Sequence, residues 1–333
     1  MDRELFIQPS VRIRNLEKKL LTKSQFERLY EADDLQDSIR HLNETVYSED
    51  LAKIDRAENF EVALSNSLNR TYNEALSLCP VKELVDVLTY RFAFHNIKVA
   101  VKEKILQEDF EHIYSEVHYE DLDNLRKQFE TEKGEKGTWY EDTVIQAYKT
   151  FEETKDPEKI EFFIDKRYFE KVLEISKKFG LDLVEEYFRA MIDFVNIRTF
   201  IRCKRQEQDI SVLKEALIQG GYIDIDDIST YFYKEIQDLV NAYKNTKIGK
   251  SLFLGLKGYN ETGRLLLFEK HMENYLTNLL KERVKRMSYG PEIIFAYVHA
   301  KEIEIKNLRI ALVGRANGLS PDFIKERLRE TYV

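Results

Sequence analysis

The residues that could do chemistry are few and scattered. Glu269-Lys270-His271-Met272-Glu273 is the nearest approach to a metal cluster. On a helix Glu269 and Glu273 share a face, but His271 points elsewhere, whereas a metal site needs several convergent ligands. His95, His112, His299, Cys79 and Cys203 form no nucleophile–base pattern in sequence, which leaves only a pair meeting in space. The chain contains no Gly-x-x-x-x-Gly-Lys-Ser/Thr loop, no Gly-x-Gly-x-x-Gly after a strand and no His-Glu-x-x-His, so nucleotide and zinc chemistry have no support. The expectation is no catalytic, cofactor-binding or metal-ligating residues.

What does recur is a helix. Asn96-Ile97-Lys98, Asn196-Ile197-Arg198 and Asn307-Leu308-Arg309 lie 100 and 111 residues apart. Sixteen residues before each Asn stand Pro80, Gly180 and Pro291, all helix-boundary types. Between these landmarks the apolar positions coincide: Leu84, Val184, Phe295; Val87, Tyr187, Val298; Phe94, Phe194, Ile305; Ile97, Ile197, Leu308; Val101, Ile201, Leu312. Steps of 3, 7, 3 and 4 between these columns keep them near one helix face. Domain-sized repeats of this kind differ from solenoids, whose period is about 20–50 residues. They divide the chain into domains at 1–115, 116–220 and 221–333. Arg12-Ile13-Arg14 followed by Phe26 echoes Asn96-Ile97-Lys98 followed by Phe110, and Gly318 to Phe323 reads as a closing half-repeat.

The polar triplet has two readings. In one, a triplet repeated about a pseudo-threefold meets a symmetric partner. In the other, the Ile or Leu packs inward, the Asn ties neighbouring helix ends, and the Arg or Lys pairs with an acid. Candidate structural or interaction residues are Asn96, Lys98, Asn196, Arg198, Arg202, Asn307 and Arg309. Basic clusters occur at Arg198, Arg202, Lys204, Arg205 and at Lys281, Arg283, Lys285, Arg286. Either a solvated face or an acidic lipid or protein partner accounts for them.

Composition sets the background. Charged residues make up 34% of the 333, with 12 Gly and 5 Pro, which suits long amphipathic helices. The net charge of −8 argues against broad nucleic-acid binding. Two isolated cysteines fit a reducing cytosol, and no apolar run has signal-peptide or membrane-spanning length. Helices are expected near 57–78, 80–107, 141–154, 157–179, 181–207, 264–287, 291–314 and 321–331. Ser24 is a candidate cap for one N-terminal helix and Asp33 or Asp34 for the next. A further unit opens near YEDLDNLRKQFE, EKGEKGTW (132–139) reads as a loop, and residues 222–227 read as a loop leading to a helix capped near Asp227 or, failing that, a short strand. LFLGLKGYNETG (252–263), rich in glycine, reads as a loop.

The triplicated Asn-Ile/Leu-Arg helices, the ending EIKNLRIALVGRANGLSPDFIKERLRETYV and the opening VRIRNLEKKLLTKSQFERL followed by LNETVYSEDL resemble the C subunit of the bacterial and archaeal V-type (A-type) ATPase/ATP synthase, a relative of the d subunit of the eukaryotic V-ATPase. The resemblance spans essentially the whole chain. Lys98 departs from the Arg of the other two copies, and Ile305 from the Phe before Asn96 and Asn196. The resemblance implies an all-α protein of three similar helical bundles about a pseudo-threefold axis, funnel-shaped. It implies a non-catalytic, single-copy central-stalk component without cofactors on the cytoplasmic face of the membrane. That component joins the proteolipid c-type rotor ring to shaft subunits D and F and passes torque between them. A helical adaptor that binds soluble partners through a concave surface is the alternative, and an enzyme whose site assembles only in space is a third.

Overall fold

In the computed structural model, residues 1–115, 117 and 139–333 are described. Among them there are helices and no strands. The α-helices are α1 (Ile7–Glu17), α2 (Lys23–Glu31), α3 (Leu35–Leu42), α4 (Ser48–Leu51), α5 (Phe60–Leu78), α6 (Lys82–Leu106), α7 (Trp139–Thr154) and α8 (Pro157–Phe179). They continue as α9 (Asp182–Arg205), α10 (Ile210–Ala216), α11 (Ile225–Thr230), α12 (Ile236–Tyr243), α13 (Gly249–Thr262), α14 (Leu266–Val284), α15 (Pro291–Ala316) and α16 (Pro321–Arg327). The stretches YEDLDNLRKQFE and most of EKGEKGTW lie outside the described residues.

Caps explain the boundaries. Thr22, two residues before Ser24, caps α2, because Gln25 completes a capping box by accepting from the Thr22 amide at 2.9 Å. Asp34 caps α3 through the Asp37 amide at 2.8 Å. Asp156 and Pro157 open α8, and Gly180 closes it in the left-handed region at φ +65°. The 222–227 stretch turns into α11, capped by Asp224 and not by Asp227.

The glycine-rich 252–263 stretch corrects the sequence expectation, for it is helical up to Thr262. A Cβ on Gly255 would stand 2.9 Å from Phe268 Cα, and one on Gly258 would stand 2.6 Å from Leu267 Cδ1. These glycines therefore let α13 lie close against α14, and packing offsets their poor helix propensity of about 1 kcal/mol each. Only the last glycine, Gly263 at φ +67°, ends the helix.

Contacts gather the chain into two compact units: residues 1–82 with 243–333, and residues 83–242. The first is built around α15, which is buried on nearly every side and touched by α1, α2, α3, α5, α14 and α16. Its core brings Phe26, Leu29, Leu42, Tyr47 and Leu64 from the N-terminal helices against Ile305, Leu308 and Leu312. Such a helix is apolar all round, and its few buried polar groups need partners. Glu304 accepts from the Leu21 amide at 2.5 Å, Tyr47 Oη at 2.7 Å and Lys301 Nζ at 2.7 Å. Lys301 also stands 4.2 Å over the Tyr47 ring. The second unit packs α8 against α7 and α9, with α10 over the junction of α8 and α9.

Candidate functional site

All fifteen apolar positions aligned across the three repeated helices are buried in α6, α9 and α15. Ile97, Ile197 and Leu308, beside the three asparagines, are 0% exposed. This burial fixes what the neighbouring Asn can reach.

Each Asn does the same thing. Asn96 Nδ2 donates to Ser115 O at 3.0 Å and its Oδ1 accepts from Ser115 N at 2.8 Å. Asn196 makes the same pair with Ile218, at 2.8 and 2.9 Å. Asn307 repeats it with Arg329, at 3.0 and 2.8 Å. A primary amide presents one donor edge and one acceptor edge, as a peptide group does, so it can hold one residue's N–H and C=O together. The three asparagines are buried, and each clamps the segment that follows its helix. The partner lies 22 residues on in the second and third copies and 19 in the first.

The basic residues two positions on behave less uniformly. Lys98 on α6 pairs with Asp165 on α8 at 2.6 Å, beside a second pair between Lys102 and Glu161. Arg309 on α15 grips Glu61 on α5 through Nε, at 2.9 and 3.0 Å, and through Nη2. In both cases a helix of one copy reaches the preceding helix of another. Arg198 is half-buried on α9, and Arg202, one turn on, is exposed.

Two features of the clamps escape the sequence. Lys166 Nζ donates to Glu215 O and Lys270 Nζ to Glu326 O, both at 2.5 Å, each acceptor three residues before the clamped residue. Burial pulls both ammonium groups below the usual lysine range. The fixed spacing from the clamped residue is the signal that marks these carbonyls. The second feature is a buried acid three residues before the Asn in two copies, Asp193 and Glu304. Asp193 accepts from Tyr222 N at 3.1 Å and Ile223 N at 3.0 Å. Burial nevertheless raises its carboxyl to about 6, against the lowering effect of those amides and of Arg189.

The Glu269–Glu273 stretch is engaged internally: Glu273 takes Lys306 at 2.5 Å and Arg329 at 2.6 Å. No metal-holding group of His, Cys, Asp and Glu occurs among the described residues. A cavity of about 750 Å³ in the second unit lies between α6 and α8, lined largely by apolar residues such as Val101, Ile105, Phe110, Ile160 and Ile164. Its one histidine, His95, is hydrogen-bonded at 3.0 Å to Ile113 O. No helix among the described residues is long and apolar enough to cross a membrane.

The class of protein is thus an internally repeated, all-helical one whose recurrent asparagines act on its own backbone. The family model of the ATP synthase (C/AC39) subunit matches residues 9–327, and the chain belongs to that family. It is 25% identical over 328 residues to the C subunit of the V-type sodium ATPase of Enterococcus hirae, covering 98% of each chain. It is 25% identical over 342 residues to the C subunit of the A-type ATP synthase of Methanosphaera stadtmanae, covering 96% of this chain and 86% of that one. Against the corresponding A-type ATP synthase protein of Thermococcus gammatolerans it is 28% identical over 342 residues, covering 97% and 89%.

Proposed function

We propose that this protein is the central-stalk C subunit of a V-type or A-type ATPase, a non-catalytic spacer that joins the membrane rotor ring to the shaft and carries torque between them. It acts as one copy per complex, on the cytoplasmic face, with the proteolipid ring below and shaft subunits D and F above. Three helical domains at 1–115, 116–220 and 221–333, set about a pseudo-threefold axis as a funnel, would receive the shaft. Similarity along the full length to C subunits of both V-type and A-type complexes supports this reading.

The observation that carries it furthest is the pairing of one copy with another. Lys98 meets Asp165 of the following copy, and Arg309 of the last copy meets Glu61 of the first. A part that carries torque must resist shear between its repeats, and packed helices with ion pairs across the joints supply that stiffness. The clamping asparagines hold each repeat's terminal segment to its own helix.

Native mass spectrometry of the chain with the detergent-solubilised ring, and then with the shaft subunits, tests the proposal. One copy per ring and a further complex with the shaft are expected. Failure to bind either partner at concentrations well above micromolar would leave the adaptor alternative.

A further inference from the structure

The fold uses the two basic clusters differently. In the first, Lys204 is turned to its own backbone, donating to Phe232 O at 2.7 Å and Lys234 O at 2.6 Å. In the second, in the turn after α14, Lys285 and Arg286 are exposed and form no ion pair among the described residues.

Helix α1 lies alongside that turn. Arg14 donates to Val284 O at 2.6 Å and Met287 O at 3.2 Å, and Gly290 N donates to Ser10 Oγ at 3.1 Å. Ile7, Val11 and Arg14, with Lys18 at the C-cap, fall on one row, so Ile7, Val11 and Lys18 share the helix face from which Arg14 reaches the turn. Ile7 is 45% exposed, Val11 59% and Tyr289 37%. Lys18 is exposed and likewise without an ion pair among the described residues. Of the nearby acids, Glu17 is buried and held by Arg14, whereas Glu282 on the turn's approach and Glu4, one turn before Ile7, are exposed. The result is a cationic strip bordered by exposed apolar and aromatic side chains on a chain of net charge −8.

We propose that this face docks on an anionic lipid bilayer, with Lys18, Lys285 and Arg286 against headgroup phosphates and Ile7, Val11 and Tyr289 at the interfacial zone. A free anion would be held by convergent donors, whereas these cations are spread along two elements. Spread cations interleaved with apolar and aromatic groups suit a charged surface with a greasy layer beneath it. The inference goes beyond the stalk assignment and does not depend on it.

The test is sedimentation of the full chain with phosphatidylcholine vesicles and with phosphatidylglycerol-rich vesicles. Binding to the anionic vesicles only, weakening with added salt, is expected. With each cation contributing about fivefold, Lys285→Gln with Arg286→Gln should weaken binding roughly 25-fold. Val11→Ser should weaken it further and Lys250→Gln, on α13, should not. Lys18→Gln, on the other element, reads the same surface if the double variant melts early. The proposal is overturned by equal binding to neutral vesicles, by no binding to anionic ones, or by unchanged binding of both cation variants. Displacement by soluble glycerol phosphate at headgroup concentration would overturn it too, by indicating a free-anion site.

Discussion

Arg309 on α15 holds both carboxylate oxygens of Glu61 on α5, 248 residues earlier in the chain. The two side chains are 45% and 50% exposed, so water screens the pair. A double-mutant cycle of Arg309→Ala and Glu61→Ala should give a coupling of about 0.5–1 kcal/mol, the upper end reflecting the bidentate geometry. A coupling above about 2 kcal/mol would mean that the joint relies on this pair far more than its exposure allows.

Glu304 is the buried counterpart. It holds Lys301, Tyr47 and the Leu21 amide together, and the side chains of Lys301 and Glu304 are only 6% and 4% exposed. Glu304→Ala leaves a buried ammonium and two donors without their acceptor, for an expected loss of about 3–5 kcal/mol in urea unfolding. Substituting Lys301 and Glu304 together, by Met and Leu, should recover part of that loss. No recovery would show that the cost lies in the cavity and not in the stranded charge.

Asn307→Ala strands the N–H and C=O of Arg329, and an expected loss of about 2–4 kcal/mol follows. Asn307→Asp keeps the acceptor for Arg329 N but loses the donor to Arg329 O, so it also destabilises. Asn96→Ala and Asn196→Ala should each cost a similar amount. Equality of all three with a surface Asn→Ala control would refute the clamp.

Asp193 gives a dependence on pH. Its folded carboxyl is raised from 3.8 to about 6, so its contribution to stability is fully present below 3.8 and fades as the pH rises through 6. The stability of the wild type relative to Asp193→Asn should therefore decline between those values and level off above them. Chemical denaturation of both proteins across that range checks it, and a difference that grows with pH would reverse the sign.

Gly258→Val should lower the melting temperature although valine has the better helix propensity, because its side chain meets Leu267. Overpacking of this kind costs about 1–3 kcal/mol. An unchanged or raised melting point would mean that α13 can draw away from α14 without loss.

The long helices are legible in the sequence because their apolar columns repeat at helical spacing, and every aligned position is buried. The boundary residues are equally plain, with Pro157, Gly180, Pro291 and Pro321 at helix ends. Helix α13 is not legible, since glycine signals a turn unless one knows that a neighbouring helix needs the space. The cap on α2 escapes for a smaller reason: Thr22 with Gln25 and Ser24 with Glu27 both have capping-box spacing, and the fold uses the first. As for the candidate site, the asparagines stand out by repetition, whereas their partners do not. Ser115, Ile218 and Arg329 engage through main-chain atoms, which carry no side-chain signature. Asp193 and Glu304 look like ordinary helix-surface acids until the fold buries them.

The first compact unit draws on both ends of the chain, and this sets an order of events at the ribosome. Phe26, Leu29, Leu42 and Leu64 emerge early, but the helix that covers them starts only at Pro291. Synthesis of the intervening stretch takes roughly 10–40 s at about 5–20 residues per second. The second unit, contiguous in sequence, is complete well before then. The nascent N-terminal helices must therefore wait with greasy faces uncovered, which makes them natural clients for a chaperone. A ribosome stalled before Pro291 would display them indefinitely.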